Sequence, residues 1–276
     1  TIGFYLEDDW TMGRVTLTAG ARADRWRVAG GFYREASPAG VVTTDRHFAN
    51  RSGWESNLRG GLVWRATDTV SLRAAGYTGF RQPTLNELYR PFMVFPITTQ
   101  ANADLKNERL RGYEAGVEFT PASSVSLSLT AFDNRLNNAV ANVTLSPTVR
   151  QRQNVDAIHA RGLELEGHAI LGTVSFEGSF AWTRSEVDAT GASFALDGKR
   201  PAQVPKLSAS GTLAWAPQAG WRIAATVRHV GAQFEDDLET NVLPAATTLD
   251  TVLQVPLGSG VSAIVRGENL FNERIV

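Results

Sequence analysis

Polar and apolar residues alternate with a period of two along most of the chain. In Val15–Asp24, valine, leucine and alanine take the odd positions, while threonine, glycine, arginine and aspartate take the even ones. The same pattern recurs in Val125–Thr130, Val174–Thr183 and Trp221–Arg228. Successive side chains of a strand point to opposite faces. The pattern therefore predicts an all-β chain of about twelve strands, each with one apolar and one polar face.

The connections between these strands alternate between short and long. The short ones are Thr11–Gly13, Ala66–Asp68, Pro121–Ser123, Gly172, Pro217–Ala219 and Gly258–Ser259. The long ones are Ala29–Gly53, Arg81–Arg109, Val187–Pro205 and Ala232–Ala246. Outer-membrane barrels have short periplasmic turns and longer extracellular loops, and every second connection lies on the same side. The alternation thus predicts an antiparallel up-and-down transmembrane β-barrel, although period-two alternation alone also fits a soluble β-sandwich.

Two features refine this topology. All short connections lie on one side of the barrel and all long ones on the other only if Leu127–Leu145 and Val149–Leu171 form one tall hairpin that turns at Ser146, Pro147 and Thr148. Aromatic residues near the short turns predict a periplasmic girdle, because rings concentrate at the membrane interface; they are Trp10, Trp64, Phe119, Trp215 and Trp221. Polar residues expected to line the lumen are Arg22, Arg59, Arg73, Glu114, Glu118, Glu164, Glu166, Arg228, Asp250, Arg266 and Glu268.

Composition narrows the classes of function. No apolar run approaches the roughly 18 residues of a membrane-spanning helix. The formal net charge is −1 with both signs interleaved, which gives no electrostatic basis for a nucleic-acid partner. Cysteine is absent, so disulfides and thiolate metal sites are excluded. The sequence contains no nucleophile elbow, P-loop or dinucleotide fingerprint, and the pattern therefore predicts neither an enzyme nor a cofactor.

Four motifs follow one another in a fixed order. The first is GFRQPTLNELYRPF with ANADLKNERLRGYEAGVEF, within Gly79–Phe119; the others are RGLELEG at Arg161–Gly167, GKRPAQVPK at Gly198–Lys206 and ENLFNERI at Glu268–Ile275. Together they closely resemble the signature of TonB-dependent outer-membrane receptors of Gram-negative bacteria, over the whole chain. The motif sequences are most similar to those of the siderophore and cobalamin branch of that family.

This resemblance implies active transport of a scarce nutrient across the outer membrane. The expected cargo is a metal chelate, such as an iron–siderophore complex, or a cobalamin-like molecule. The expected partners are outer-membrane lipid and, through a missing N-terminal region, the TonB protein. Residues 1–276 would form part of a barrel of roughly 22 strands, without the plug, the early strands and the last strand. Gly3–Trp10 and Gly260–Glu268 would then be edge strands. A passive outer-membrane channel or an adhesin barrel is the main alternative.

Two sets of residues are candidates for ligand contact. Thr84 and Glu87 have the spacing of a capping box, which predicts a helical turn over Thr84–Tyr89 inside the long loop. Around it, the resemblance implies an external ligand vestibule formed by Arg81, Asn86, Tyr89, Arg90 and Phe92. The alternative interpretation is that this segment anchors the loop to the barrel rim.

The second set is acidic and consists of Glu235, Asp236, Asp237 and Glu239. Hard cations such as calcium bind several carboxylates on a flexible loop. A cation site would require these four side chains to converge, and a solvated acidic surface is the alternative. The four histidines of the chain have no metal-ligand spacing.

Overall fold

The computed structural model describes residues 1–274, and twelve of its strands form one antiparallel sheet. The elements, in chain order, are β1 (Ile2–Met12), β2 (Val15–Val28), β3 (Phe32–Ala36), β4 (Val42–His47), β5 (Arg51–Arg65), β6 (Val70–Arg81), α1 (Leu85–Tyr89), β7 (Phe92–Val94), β8 (Ile97–Gln100), β9 (Glu108–Ala122), β10 (Val125–Asn137), β11 (Val140–Ser146), β12 (Val149–Asn154), β13 (Ala157–Leu171), β14 (Val174–Asp188), a 3-10 helix (Gly191–Leu196), β15 (Leu207–Trp215), β16 (Arg222–Val230), β17 (Gln233–Phe234), β18 (Val242–Leu243), β19 (Ala246–Gly258) and β20 (Val261–Gly267).

The large sheet is open, with strand order β1-β2-β5-β6-β9-β10-β13-β14-β15-β16-β19-β20. Every strand pairs with the next in this order, and all pairs are antiparallel. The predicted number of strands, about twelve, and the predicted up-and-down order are confirmed. So are the expected edges, since Gly3–Trp10 lies in β1 and β20 occupies the other end of the sheet.

The two faces of the sheet differ as the sequence predicts. Leu129 of β10 pairs with Leu165 of β13, and both are exposed, by 42% and 38%, with no apolar partner layer over them. On the other face, Arg59 forms a salt bridge of 2.6 Å with Glu7. That polar face is concave, because side chains from seven strands border a cavity of about 560 Å³ on it. An exposed apolar wall around a polar interior is the arrangement of a membrane barrel.

The aromatic residues near the short connections lie on the apolar face. Trp64, Phe119 and Trp215 are exposed by 46%, 43% and 47% at the ends of their strands. Trp10 pairs with Leu17, so it shares this face, which the sequence alone left undecided. Trp221 lies directly before β16. Their positions agree with a girdle on the side of the short turns.

The tall hairpin is confirmed and carries a bend. β10 and β13 pair up to Asn137 and Ala157, and β11 and β12 continue from Val140 and Asn154 in the same register to a turn after Ser146. At the bend, Asn138 has a φ of 52°. Above it, β11 and β12 leave the large sheet and join β8 and β7 in a four-stranded sheet.

The long connections are more structured than the sequence predicts. Strand β12 pairs with β8 in parallel, β3 pairs with β4, and β17 pairs with β18. Two clusters of buried apolar residues also lie at this end of the molecule: one contains Ala139, Val143, Val155, Val187, Ala189 and Leu196, and the other contains Leu88, Tyr89 and Leu105. The hydrophobic core therefore stabilises the loop assembly. Among residues 1–274, no helix has the length and hydropathy needed to cross a membrane.

Candidate functional site

The helical turn predicted inside the longest loop is present as α1. Thr84 is its N-cap: the backbone N–H of Glu87 donates to Thr84 Oγ1 at 3.2 Å, and the N–H of Thr84 donates to Glu87 Oε2 at 2.6 Å. These reciprocal bonds satisfy two N–H groups that a helix start leaves free. Leu88 and Tyr89 are buried behind the turn, so the capping box fixes α1 against the loop core.

Arg81, one of the five predicted vestibule residues, acts as an anchor. Its guanidinium donates to Glu87 at 2.9 and 3.1 Å and also to the buried Glu108. Glu108 in turn accepts the N–H of Val140 at 2.7 Å. Burial favours the neutral form of Glu87, but hydrogen bonds from Arg81 and Thr84 outweigh it and lower the pKa of that carboxyl. Arg81 thus joins α1, β9 and β11 through a chain of hydrogen bonds.

Arg152 of β12 contacts three further residues of the predicted vestibule. The sequence did not indicate this role. Its Nη1 donates to the carbonyl oxygens of Asn86 at 2.5 Å and of Arg90 at 3.4 Å. The guanidinium carbon lies 5.0 Å from the ring centroid of Phe92, a distance suited to a cation–π contact. Because Arg152 is at least 60 residues from these partners, no local motif could reveal it. The side chains of Asn86, Arg90 and Phe92 remain exposed.

The fifth predicted residue, Tyr89, borders a cavity between the loops. The cavity measures about 570 Å³, within the range of small-molecule sites. Tyr89 stacks on Phe48 with ring centroids 4.3 Å apart and an interplanar angle of 26°. The walls come from the β3–β4 hairpin, α1, β8 and β12, through residues that include Tyr33, Arg46, Phe48, Tyr89, Gln100 and Gln151. We name this space the loop cavity.

Three carboxylates of the acidic run accept hydrogen bonds from different parts of the loops. The buried carboxylate of Asp236 accepts the N–H groups of Leu238, Thr240 and Asn241 at 2.6 to 3.1 Å. Burial alone would raise the pKa of Asp236, but these backbone hydrogen bonds lower it. The other carboxylates have different surroundings. Asp237 accepts hydrogen bonds from the hydroxyl and the backbone N–H of Thr144 at 2.9 and 3.0 Å, Glu239 accepts the N–H of Arg200 at 2.9 Å, and Glu235 is exposed.

Two expectations for this run therefore need correction. Its carboxylates do not converge, and none of the described residues forms a group of three metal-ligating side chains. It is not a plain solvated surface either, since Asp236 shapes the turn before β18 and Asp237 binds the β11–β12 hairpin. The run stabilises the contact between two long loops.

Comparison with known proteins agrees with this architecture. The family model described as "TonB dependent receptor-like, beta-barrel" matches residues 1–270. The ferrioxamine B receptor of Salmonella typhimurium is 26% identical over 99% of this chain and 37% of its own length. The vitamin B12 transporter BtuB of Photobacterium profundum is 23% identical over 99% of the chain and 41% of its own length.

A solved structure shows the same fold. The siderophore receptor PiuA from Acinetobacter baumannii superposes with a TM-score of 0.77 at 17% identity, over 99% of this chain and 39% of its own. The chain thus spans about two fifths of the length of each of these three proteins. Of the motif ENLFNERI at Glu268–Ile275, the first three residues fall within the family match, and Ile275 lies outside the described residues.

The family is one of transport receptors, and its barrels lie in the outer membrane of Gram-negative bacteria, the location predicted from the sequence. The apolar outer face, the short turns on one side and the structured loops on the other fit that location. On the strength of the match over residues 1–270, the chain belongs to the TonB-dependent receptor family and forms a twelve-stranded part of its β-barrel.

Proposed function

We propose that the protein imports a scarce nutrient across the outer membrane by TonB-dependent active transport, and that the cargo is an iron–siderophore complex or a cobalamin-like molecule. The observation that carries the proposal is the family match over almost the whole chain. Relatives that align over 99% of it are named as a ferrioxamine B receptor and a vitamin B12 transporter. The loop cavity supplies an external space of suitable size for a small ligand. No catalytic step is part of this function.

The proposed receptor is a larger barrel of which this chain is one arc. β1 and β20 each pair with a single strand, and every residue of β1 is exposed. Backbone N–H and C=O groups in a bilayer must be hydrogen-bonded within the protein, so such edges are not stable against lipid. Further strands of the same barrel would pair with both edges, with a plug inside the polar wall and the TonB protein bound through a preceding segment.

The five candidate residues take two roles in this proposal. Arg81 and the backbone of Asn86 and Arg90 hold the loop in place, while Tyr89 and the exposed side chain of Phe92 face the external space that ligand enters. The acidic run has a stabilising role in the contact between the long loops.

The experiment compares cells that lack the full-length receptor gene with cells in which it has been restored. Accumulation of radiolabelled ferric siderophores and of radiolabelled cobalamin is measured with and without a proton-motive-force uncoupler, and in a strain without TonB. The proposal predicts uptake of at least one compound that requires the receptor, TonB and the proton-motive force. Receptor-dependent entry that persists without TonB identifies a passive channel, and cell attachment without any uptake identifies an adhesin.

A further inference from the structure

Four arginines lie together on the outer, apolar face of the barrel wall. On that face a row of direct cross-strand partners crosses β9, β10, β13 and β14, namely Ala115, Ala131, Leu163 and Trp182. Because side chains alternate between the two faces, the residues two and four positions nearer the long loops share this face. Four of these positions carry exposed arginines, which we name the outer arginine cluster: Arg111, Arg135, Arg161 and Arg184.

Arginines of this cluster stand directly opposite one another in the sheet. Arg111 of β9 is the cross-strand partner of Arg135 of β10, and Arg161 of β13 is the partner of Arg184 of β14. Like charges at directly opposed positions destabilise a sheet. Charged side chains on the lipid face also cost free energy, and this cost becomes small only near the membrane–water interface. Anionic groups at that interface offset both costs when they lie between the guanidinium groups.

Carboxylates on the same face neutralise only part of this charge. The contacts that involve them are Arg135–Asp188 at 2.7 Å, Arg184–Glu186 at 2.8 Å and His159–Asp133 at 2.8 Å. Arg111 and Arg161 form no salt bridge and no side-chain hydrogen bond with any residue that the structure describes. Two further exposed arginines, Arg25 and Arg27, lie on this face of β2, also toward the long loops. The six arginines thus outnumber the three carboxylates, and two guanidinium groups of the cluster are available to a partner.

We propose that the outer arginine cluster binds the phosphate groups of the phosphorylated glycolipid in the outer leaflet of the outer membrane, through Arg111 and Arg161. A guanidinium pairs with a phosphate through two parallel charge-assisted hydrogen bonds. From the spacing of strands and residues, the Cα atoms of Arg111 and Arg161 are roughly 12 Å apart, so both side chains reach a single lipid headgroup. The acyl chains of that lipid pack on Leu163 and Trp182, which are exposed by 43% and 42%. The proposal is independent of the nutrient that the receptor imports.

The test titrates the full-length receptor in detergent with three lipids and measures binding by native mass spectrometry. The lipids are lipid A with two phosphates, the same lipid without phosphates, and phosphatidylglycerol. The wild-type receptor is expected to bind the bisphosphorylated lipid most tightly. The double variant Arg111→Gln, Arg161→Gln should weaken that binding about a hundredfold, or about tenfold for each charged hydrogen-bonding group, and change binding of the phosphate-free lipid less than about twofold.

Arg34→Gln is the matched control, because it removes the same charge from an exposed position in the β3–β4 hairpin of a long loop. It should leave all three affinities at the wild-type level.

Thermal unfolding separates lipid binding from a structural role. In lipid-free detergent, the double variant should unfold at the wild-type temperature or above it, because the substitutions remove two contacts between like charges. Bisphosphorylated lipid A should raise the unfolding temperature of the wild-type receptor only. Lower stability of the double variant without lipid, unchanged lipid A binding by that variant, the same loss in Arg34→Gln, or wild-type binding of phosphatidylglycerol as tight as that of lipid A overturns the proposal.

Discussion

At the scale of single residues, carboxylates at the outer end of the strands fix the loops. Glu55 accepts hydrogen bonds from Arg109 at 3.0 and 3.2 Å and from Asn107 at 2.9 Å. Glu108 and Asp236 are buried in the same part of the molecule. A buried carboxylate requires partners because an unsatisfied one carries the full cost of desolvation. These acidic residues therefore act as internal ties between strands and loops.

The first prediction concerns Asp236→Asn. The substitution removes an acceptor oxygen and the charge that three backbone N–H groups share, which should destabilise the loop between β16 and β19 by about 1–3 kcal/mol. Limited proteolysis of the receptor in intact cells measures the effect as faster cleavage within 231–245. Glu235→Gln, at the exposed neighbouring position, should cleave at the wild-type rate; equal acceleration in both variants would contradict the role assigned to Asp236.

The pH dependence of the same loop follows from the direction of the pKa shift. The pKa of Asp236 is lowered from its ordinary value of 3.8 in the folded protein. Its contribution to stability is therefore fully present above that value and is lost as the pH falls through the lower, folded-state pKa. Wild-type protection against proteolysis at 231–245 should hold at pH 5 and decrease as the pH falls below 3.8. In the Asp236→Asn variant, which has no carboxyl to protonate at this position, the cleavage rate should not show this decrease in protection.

At the scale of elements, what could be predicted depends on whether the signal is local. The strand faces follow from alternation, and the capping box of Thr84 and Glu87 spans three residues, so both were predictable. The parallel pairing of β8 with β12 joins segments about 50 residues apart, and the sequence of neither strand indicates which strand it pairs with. Arg152 escaped prediction for the same reason, because its contacts form only when separate loops meet.

The second prediction tests the assignment of faces within β14. Phe180 lies on the apolar face and the adjacent Ser179 on the polar wall. Phe180→Arg places a charge against lipid near the middle of the strand, which should cost about 2–4 kcal/mol. Ser179→Arg points into the water-filled interior and should cost much less. Urea unfolding of the full-length receptor in lipid vesicles gives both free energies, and a larger loss for Ser179→Arg would reverse the faces.

At the scale of the whole molecule, the sheet is an arc with an apolar exterior, a polar interior and a compact cap of loops. Its apolar core lies in that cap, while the wall of the barrel is stabilised by backbone pairing between neighbours. Barrels have no free edges, whereas the strand at each end of this arc is paired on one side only. The arc is consistent with a larger ring, as the span of its relatives suggests.

The third prediction concerns these edges in the full-length receptor. If further strands pair with β1 and β20, the backbone amides of β1 and β20 should exchange hydrogen with solvent as slowly as those of the central strand β13. Hydrogen–deuterium exchange of the receptor in lipid measures this directly. Rapid exchange along β1 or β20, with slow exchange in β13, would show that the edges remain free and would favour a smaller assembly.

The most direct test of the proposed barrel determines on which side of the outer membrane its long and short connections lie. The chain has no cysteine, so single cysteines can be introduced into a cysteine-free full-length receptor. Asp104→Cys and Phe194→Cys lie in long connections, and Ser123→Cys and Ser259→Cys lie in short ones. In intact cells, a membrane-impermeant maleimide should label the first pair at once and the second pair only after the outer membrane is opened. Immediate labelling of the short turns, or of all four sites alike, would contradict the proposed outer-membrane barrel.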